Sequence, residues 1–218
     1  MSPPPSSPKP SLWRQRMPSP VRSKKTSPSF CTCPILQYTV LFRATHALSK
    51  IMKQFQLEIF KGNPIILEGE HRILIDTGAP STIHRSGEIQ FCGDDYDCTD
   101  NYMGLKISNI SELLGMEITT LLGADILSEY KILFDYANKV VTFSKEDLNF
   151  VGKTLDITAF MGIPILQMSV NNQELKFFLD TGARLSFLSS DITRNYKCVG
   201  TEEDFYPGVG PFQTDCFE

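Results

Sequence analysis

Paired cysteines, long apolar runs, helical periodicity and, over the first quarter, acidic residues are all scarce in this 218-residue sequence. Six cysteines (Cys31, Cys33, Cys92, Cys98, Cys198 and Cys216) with no CxxC spacing argue against a disulfide scaffold and fit a reducing compartment. The longest apolar candidate, PILQYTVLF at 34–42, is too short and too interrupted to span a bilayer, so no membrane partner is expected. No P-loop, GxSxG or HExxH occurs, which removes the common signatures of nucleotide binding, serine hydrolysis and zinc peptidase chemistry. No acid precedes Glu58 while nine Lys or Arg do, so the net charge of −4 conceals a basic leader and an acidic remainder.

That leader also carries nine of the fourteen prolines within residues 1–34, mixed with serine. Such a segment cannot bury enough apolar surface to offset its ordering entropy, so residues 1–51 are expected to be a disordered tail. Aromatic residues are nearly missing between its charges, which argues against a nucleic-acid partner. A cytoplasmic location is expected. The alternative is an organelle, if the acid-free, Ser-rich tail is a transit peptide and the folded chain starts near Met52.

From Phe55 onward short apolar runs alternate with turn residues: QLEIF, PIILEG, HRILID, STIH, KILFDY, KVVTF, LDITAF, ILQMSV, LKFFLD and FLSS. Their length and their Ile, Val, Leu and Phe content predict strands and an all-β fold. Asn138-Lys139 and Asn171-Asn172 predict hairpin turns. Only 108–116 and 124–130 have helical spacing.

Two of those strands end alike, in Ile73-Leu74-Ile75-Asp76-Thr77-Gly78-Ala79 and in Phe177-Phe178-Leu179-Asp180-Thr181-Gly182-Ala183. Gly62 lies 14 residues before Asp76 and Gly162 lies 18 before Asp180, the extra four residues falling around the Asn171-Asn172 turn. Tyr102 and Gly104 recur as Tyr206 and Gly208 at the same 104-residue offset. The chain therefore reads as a tail (1–51), a first repeat (52–150) and a second repeat (151–218). Leu121-Leu122-Gly123 would recur at 225, so the second repeat is expected to be incomplete at its C-terminal end.

One Asp-Thr-Gly is a common strand-to-turn junction, but two in register inside a repeat are not. The chain resembles the aspartic peptidases, and among them the retropepsin-like group with both Asp-Thr-Gly copies in one chain, as in small bacterial proteins. The resemblance covers 55–218 and rests on Asp76-Thr77-Gly78-Ala79, Asp180-Thr181-Gly182-Ala183 and Leu121-Leu122-Gly123-Ala124-Asp125. It implies acid-protease β-barrel units, a catalytic pair at Asp76 and Asp180, and support from Thr77, Gly78, Thr181 and Gly182. It also implies substrate-covering flaps at Tyr102, Met103 and Gly104 and at Tyr206, Gly208 and Gly210. The implied partner is an extended peptide or protein substrate, with no cofactor and no metal.

The chemistry can be stated without the family. Two carboxylates about 3 Å apart cannot both ionise, so the pair holds one shared proton and offers a base and an acid together. Water activated by the one can attack a peptide carbonyl polarised by the other. The expected activity is an aspartic endopeptidase. Two alternatives stand beside it: a homodimer in which Asp76 meets its own copy, and a peptide-binding module that does not cut. The second is suggested by Arg184, a cation beside Asp-Thr-Gly-Ala that would discourage proton sharing. The acid-rich 91–101 stretch is expected to be a solvated loop, His71 and His84 surface strand residues, and Asp125 and Asp135 turn or cap residues.

Overall fold

The structure, a computed structural model, describes residues 52–206 and 209–218. The expected tail at 1–51, with Cys31 and Cys33, and the residues Pro207 and Gly208 of the second expected flap lie outside the described residues. What is described is predominantly β, as the sequence predicts. Among the described residues no helix is long and apolar enough to cross a membrane.

In the first repeat, β1 (Met52–Gln56) pairs with β10 (Val140–Ser144), which pairs with β9 (Lys131–Asp135). A five-stranded sheet runs in the order β2 (Glu58–Phe60), β3 (Asn63–Glu68), β4 (His71–Ile75), β8 (Thr120–Leu122), β5 (Ile83–His84). All its pairings are antiparallel except that of β4 with β8, which aligns Ile73 with Thr120 and Ile75 with Leu122. The acidic stretch folds as a hairpin of β6 (Glu88–Phe91) and β7 (Asp94–Asp97). Helices α1 (Ile107–Leu114) and α2 (Ala124–Leu127) fall where helical spacing predicts them. The α1 helix stops at Gly115, whose φ of 73° supplies the left-handed C-terminal turn.

The apolar run Ile73-Leu74-Ile75 does not alternate because both faces of β4 are covered. Ile73 and Ile75 join Ile66, Leu122, Phe91, Tyr130 and Phe143 in one core, while Leu74 joins Ile65, Ile83, Leu114, Ile118 and Leu121 in another. The central sheet thus separates two cores, and a strand buried on both faces has no place for a polar residue until it ends. Asp76 stands at that end.

The second repeat is thinner. A three-stranded sheet orders β11 (Ile157–Phe160), β12 (Ile163–Val170) and β13 (Gln173–Phe178). It is followed by α3 (Ser190–Thr193) and a separate long hairpin of β14 (Cys198–Tyr206) with β15 (Gly210–Phe217). Both repeats turn into their long hairpin in the same way, with φ of 50° and 90° at Lys61-Gly62 and 52° and 80° at Met161-Gly162. The four extra residues of the second repeat divide evenly: β12 and β13 pair out to Val170 and Gln173, two residues further per arm than Glu68 and His71. Asn171 and Asn172 both take positive φ, 52° and 61°, as a two-residue hairpin turn requires. FLSS (187–190), expected as a strand, is not one: residues 187–189 are irregular and Ser190 opens α3. Its counterpart β5 is a strand because β8 pairs with it, and the described part of the second repeat contains no such neighbour.

Candidate active site

Asp76 directly follows β4, and Asp180 follows β13 after Leu179. Each carboxylate is held by its own loop. Asp76 Oδ1 accepts from the N–H groups of Gly78 (2.9 Å) and Ala79 (3.0 Å), and Asp180 Oδ1 accepts from those of Gly182 (2.9 Å) and Ala183 (3.0 Å).

Four bonds then join the two loops across an approximate twofold. Thr77 N–H donates to Thr181 Oγ1 at 3.1 Å, and Thr181 N–H donates to Thr77 Oγ1 at 3.0 Å. The hydroxyls pass on in turn, Thr77 donating to Leu179 O (2.6 Å) and Thr181 to Ile75 O (2.7 Å). Threonine suits this position because one hydroxyl accepts and donates at once. The paired loops belong to one chain, 104 residues apart.

The two glycines set how close the acids come. A Cβ on Gly78 would stand 2.2 Å from Asp180 Cγ, and one on Gly182 would stand 2.4 Å from Asp76 Cγ. Each carboxyl therefore lies on the opposite loop's glycine, a contact that a larger residue would prevent. Burial pushes the Asp76 carboxyl up to about 8, and the Asp180 charge and a hydrogen bond shared with Asp180 push the same way. The Gly78 and Ala79 N–H groups pull it down without prevailing. Asp76 is half-buried and Asp180 exposed. Such a pair keeps one proton at neutral pH and presents a donor beside an acceptor.

The first loop is buttressed from below. Asp125 accepts from Thr82 N–H (2.8 Å), from the Thr82 hydroxyl (2.6 Å) and from Ile126 N–H (2.8 Å), and the buried Thr82 hydroxyl accepts from Gly123 N–H (2.9 Å). Asp125 is not the cap of α2, whose N-cap is Gly123; it stands in the first turn and ties that helix to the chain leaving the Asp-Thr-Gly loop. Sequence reading assigned no role to Thr82; its spacing of six residues after Asp76 was the only hint. Asp135 accepts from Asn138 N–H at 2.9 Å, as a turn residue should.

Three expectations need correction. His84 is buried, not on the surface: β5 runs beside β8, so its Nδ1 lies 2.8 Å from Thr120 Oγ1 and its ring meets that of His71 edge-on at 5.2 Å. His71 is half-buried beside it. The acidic 91–101 stretch is largely a hairpin whose Cys92 is buried and whose Asp94 pairs with Lys145. Arg184 does not turn its guanidinium to the aspartates; it bridges to Glu202 (3.2 Å) and to Glu203 O (2.7 Å) on β14.

The two expected flaps differ. Around Tyr102, Met103 and Gly104 the chain makes only a tight turn, with Tyr102 and Leu105 exchanging backbone bonds of 2.9 Å and Tyr102 packed on the second core. The other is the β14–β15 hairpin, with Tyr206 and Val209 exposed near its tip and Gly210 at φ 95°. Phe205 of that hairpin joins Gly104, Leu105, Asn109, Glu112 and Leu113 around an open cleft of about 410 Å³. No protein-family model matches the chain, and no curated protein or solved structure does.

Proposed function

We propose that the protein is an aspartic endopeptidase of the retropepsin-like kind, with Asp76 and Asp180 as an intramolecular catalytic pair. The observation that carries this reading is the reciprocal Thr77–Thr181 bonding, which seats each carboxyl against the other loop's glycine. Proton sharing has a physical cause in the raised Asp76 carboxyl. In the reaction, the ionised member takes a proton from a water held between the two acids, and the resulting hydroxide attacks the scissile carbonyl carbon. The protonated member donates to the carbonyl oxygen, and the pair then delivers a proton to the departing nitrogen as the C–N bond breaks. An extended substrate would lie under the β14–β15 hairpin and bond to it strand-to-strand. The homodimer reading loses its motive, since Asp76 already faces a partner within the chain.

A peptide-binding module without cleavage remains the second reading, favoured by the exposure of Asp180, which leaves that half of the pair open to water. Cleavage of a mixed peptide library between pH 4 and 7 by wild type, Asp76→Asn and Asp180→Asn separates them. Activity in the wild type and its loss in both variants is the expected result. Peptide binding with no cleavage by the wild type would replace this function with the second reading, and loss in Asp76→Asn alone would restore the homodimer.

A further inference from the structure

Among the described residues the β14–β15 hairpin pairs only within itself, and neither strand joins another sheet. Its attachment to the rest of the chain therefore falls to side chains. Phe212 meets Phe187 with 5.9 Å between ring centroids, and Phe205 faces Leu105 and Leu113 across the open cleft. Arg184 adds a polar attachment, its Nη2 donating both to Glu202 Oε2 (3.2 Å) and to Glu203 O (2.7 Å). The stem of the same side chain passes the Gly62 turn, where a Cβ would stand 4.0 Å from Arg184 Cγ. One residue thus leaves directly from the second Asp-Thr-Gly-Ala loop, lies against the first repeat and grips the hairpin. The first repeat has Pro80 at the equivalent position, and a tight turn at 102–105 where the second has the long hairpin. The cation occurs in the repeat that has a hairpin to hold.

We propose that Arg184 is a positioning residue that latches the β14–β15 hairpin to the second Asp-Thr-Gly loop, and that breaking this latch lets the hairpin swing and widens the cleft beside Phe205. Arginine suits the task because two N–H groups on one terminal nitrogen reach a carboxylate and a carbonyl at once. The latch is also built to release. The Arg184 and Glu202 side chains are 42% and 48% exposed, so water and salt compete for both partners. A pair so placed adds little to global stability, yet it decides the posture of an element that no neighbouring sheet holds. In a peptidase this would make substrate access depend on ionic strength. That consequence rests on the peptidase reading, whereas the latch itself does not.

Amide exchange read by mass spectrometry on the full 218-residue chain tests the latch without requiring activity. In Arg184→Ala, exchange at 202–206 and 210–214 should quicken about fivefold, while β4 and β10 keep their rates and the melting temperature barely moves. Raised ionic strength should quicken the same hairpin amides in the wild type and leave those of Arg184→Ala unchanged. Arg184→Lys should recover part of the salt-sensitive protection. Arg194→Ala, which removes an exposed pair with Asp191 in α3, should leave the hairpin unaffected. Hairpin exchange that is unaltered in Arg184→Ala, or as salt-sensitive there as in the wild type, overturns the proposal. So does a loss of protection that spreads to β4 and β10, since Arg184 would then hold the fold and not the hairpin. A wild type that shows the expected exchange but cleaves no peptide would end the peptidase reading and leave the latch standing.

Discussion

Thr77 and Thr181 show how much depends on a single hydroxyl. Thr77→Val keeps the volume but leaves Leu179 O without its donor and Thr181 N–H without its acceptor; a loss of about 2–4 kcal/mol is expected, readable from urea denaturation. Titration at Asp76 has an unusual sign. Its folded value of about 8 lies above the reference 3.8, so the folded state keeps a proton that the unfolded chain releases. Its contribution is complete below about pH 4 and is lost as pH rises toward 8. Asp76→Asn should therefore flatten the fall in stability across that window and raise the melting temperature near pH 7.5 relative to wild type. His84 acts in the opposite sense. Burial first, then the neighbouring His71, lower its pKa from 6.5, so the unfolded chain takes up the proton first and stability declines as pH drops below 6.5. In His84→Gln the difference between denaturation midpoints at pH 5.5 and 7.5 should shrink.

Among the elements, β4 and β8 matter most, because their parallel pairing delivers Asp76 and braces it through Leu122 O. Helix α2 is only four residues long and would not persist alone; the Asp125–Thr82 bonds hold it. Asp125→Ala should cost about 2–3 kcal/mol by thermal or urea unfolding, since it removes a charged acceptor from several donors at once. The hairpins β3–β4 and β12–β13 were both readable as strands around turn residues, and Asn171-Asn172 identified the second turn by its tolerance of positive φ. FLSS was misread for a reason of the same scale: its composition suits a strand, but a strand also needs an edge to pair with.

Across the whole molecule, burial is uneven. Both apolar cores belong to the first repeat, and of the second repeat only Pro164 and Leu166 are apolar side chains among the buried ones described. Native-state amide exchange should accordingly be slowest in β3, β4, β8 and β10 and faster throughout β13, β14 and β15, because opening the latter exposes little new apolar surface. Equal protection in the two repeats would contradict this account. The cross-loop threonine bonds are the exception, tying the less buried repeat to the more buried one at the point where the acids meet.

The sequence by itself determined the β character, the turns, the 104-residue repeat and the pair of Asp-Thr-Gly loops, because these follow from local composition and spacing. Only the tertiary structure decided that the loops meet within one chain, that His84 is internal, that the acidic stretch is a hairpin and that Arg184 turns away from the acids. Those outcomes depend on which distant residues supply an edge, a hydrogen bond or a counter-charge, and no local pattern carries that information.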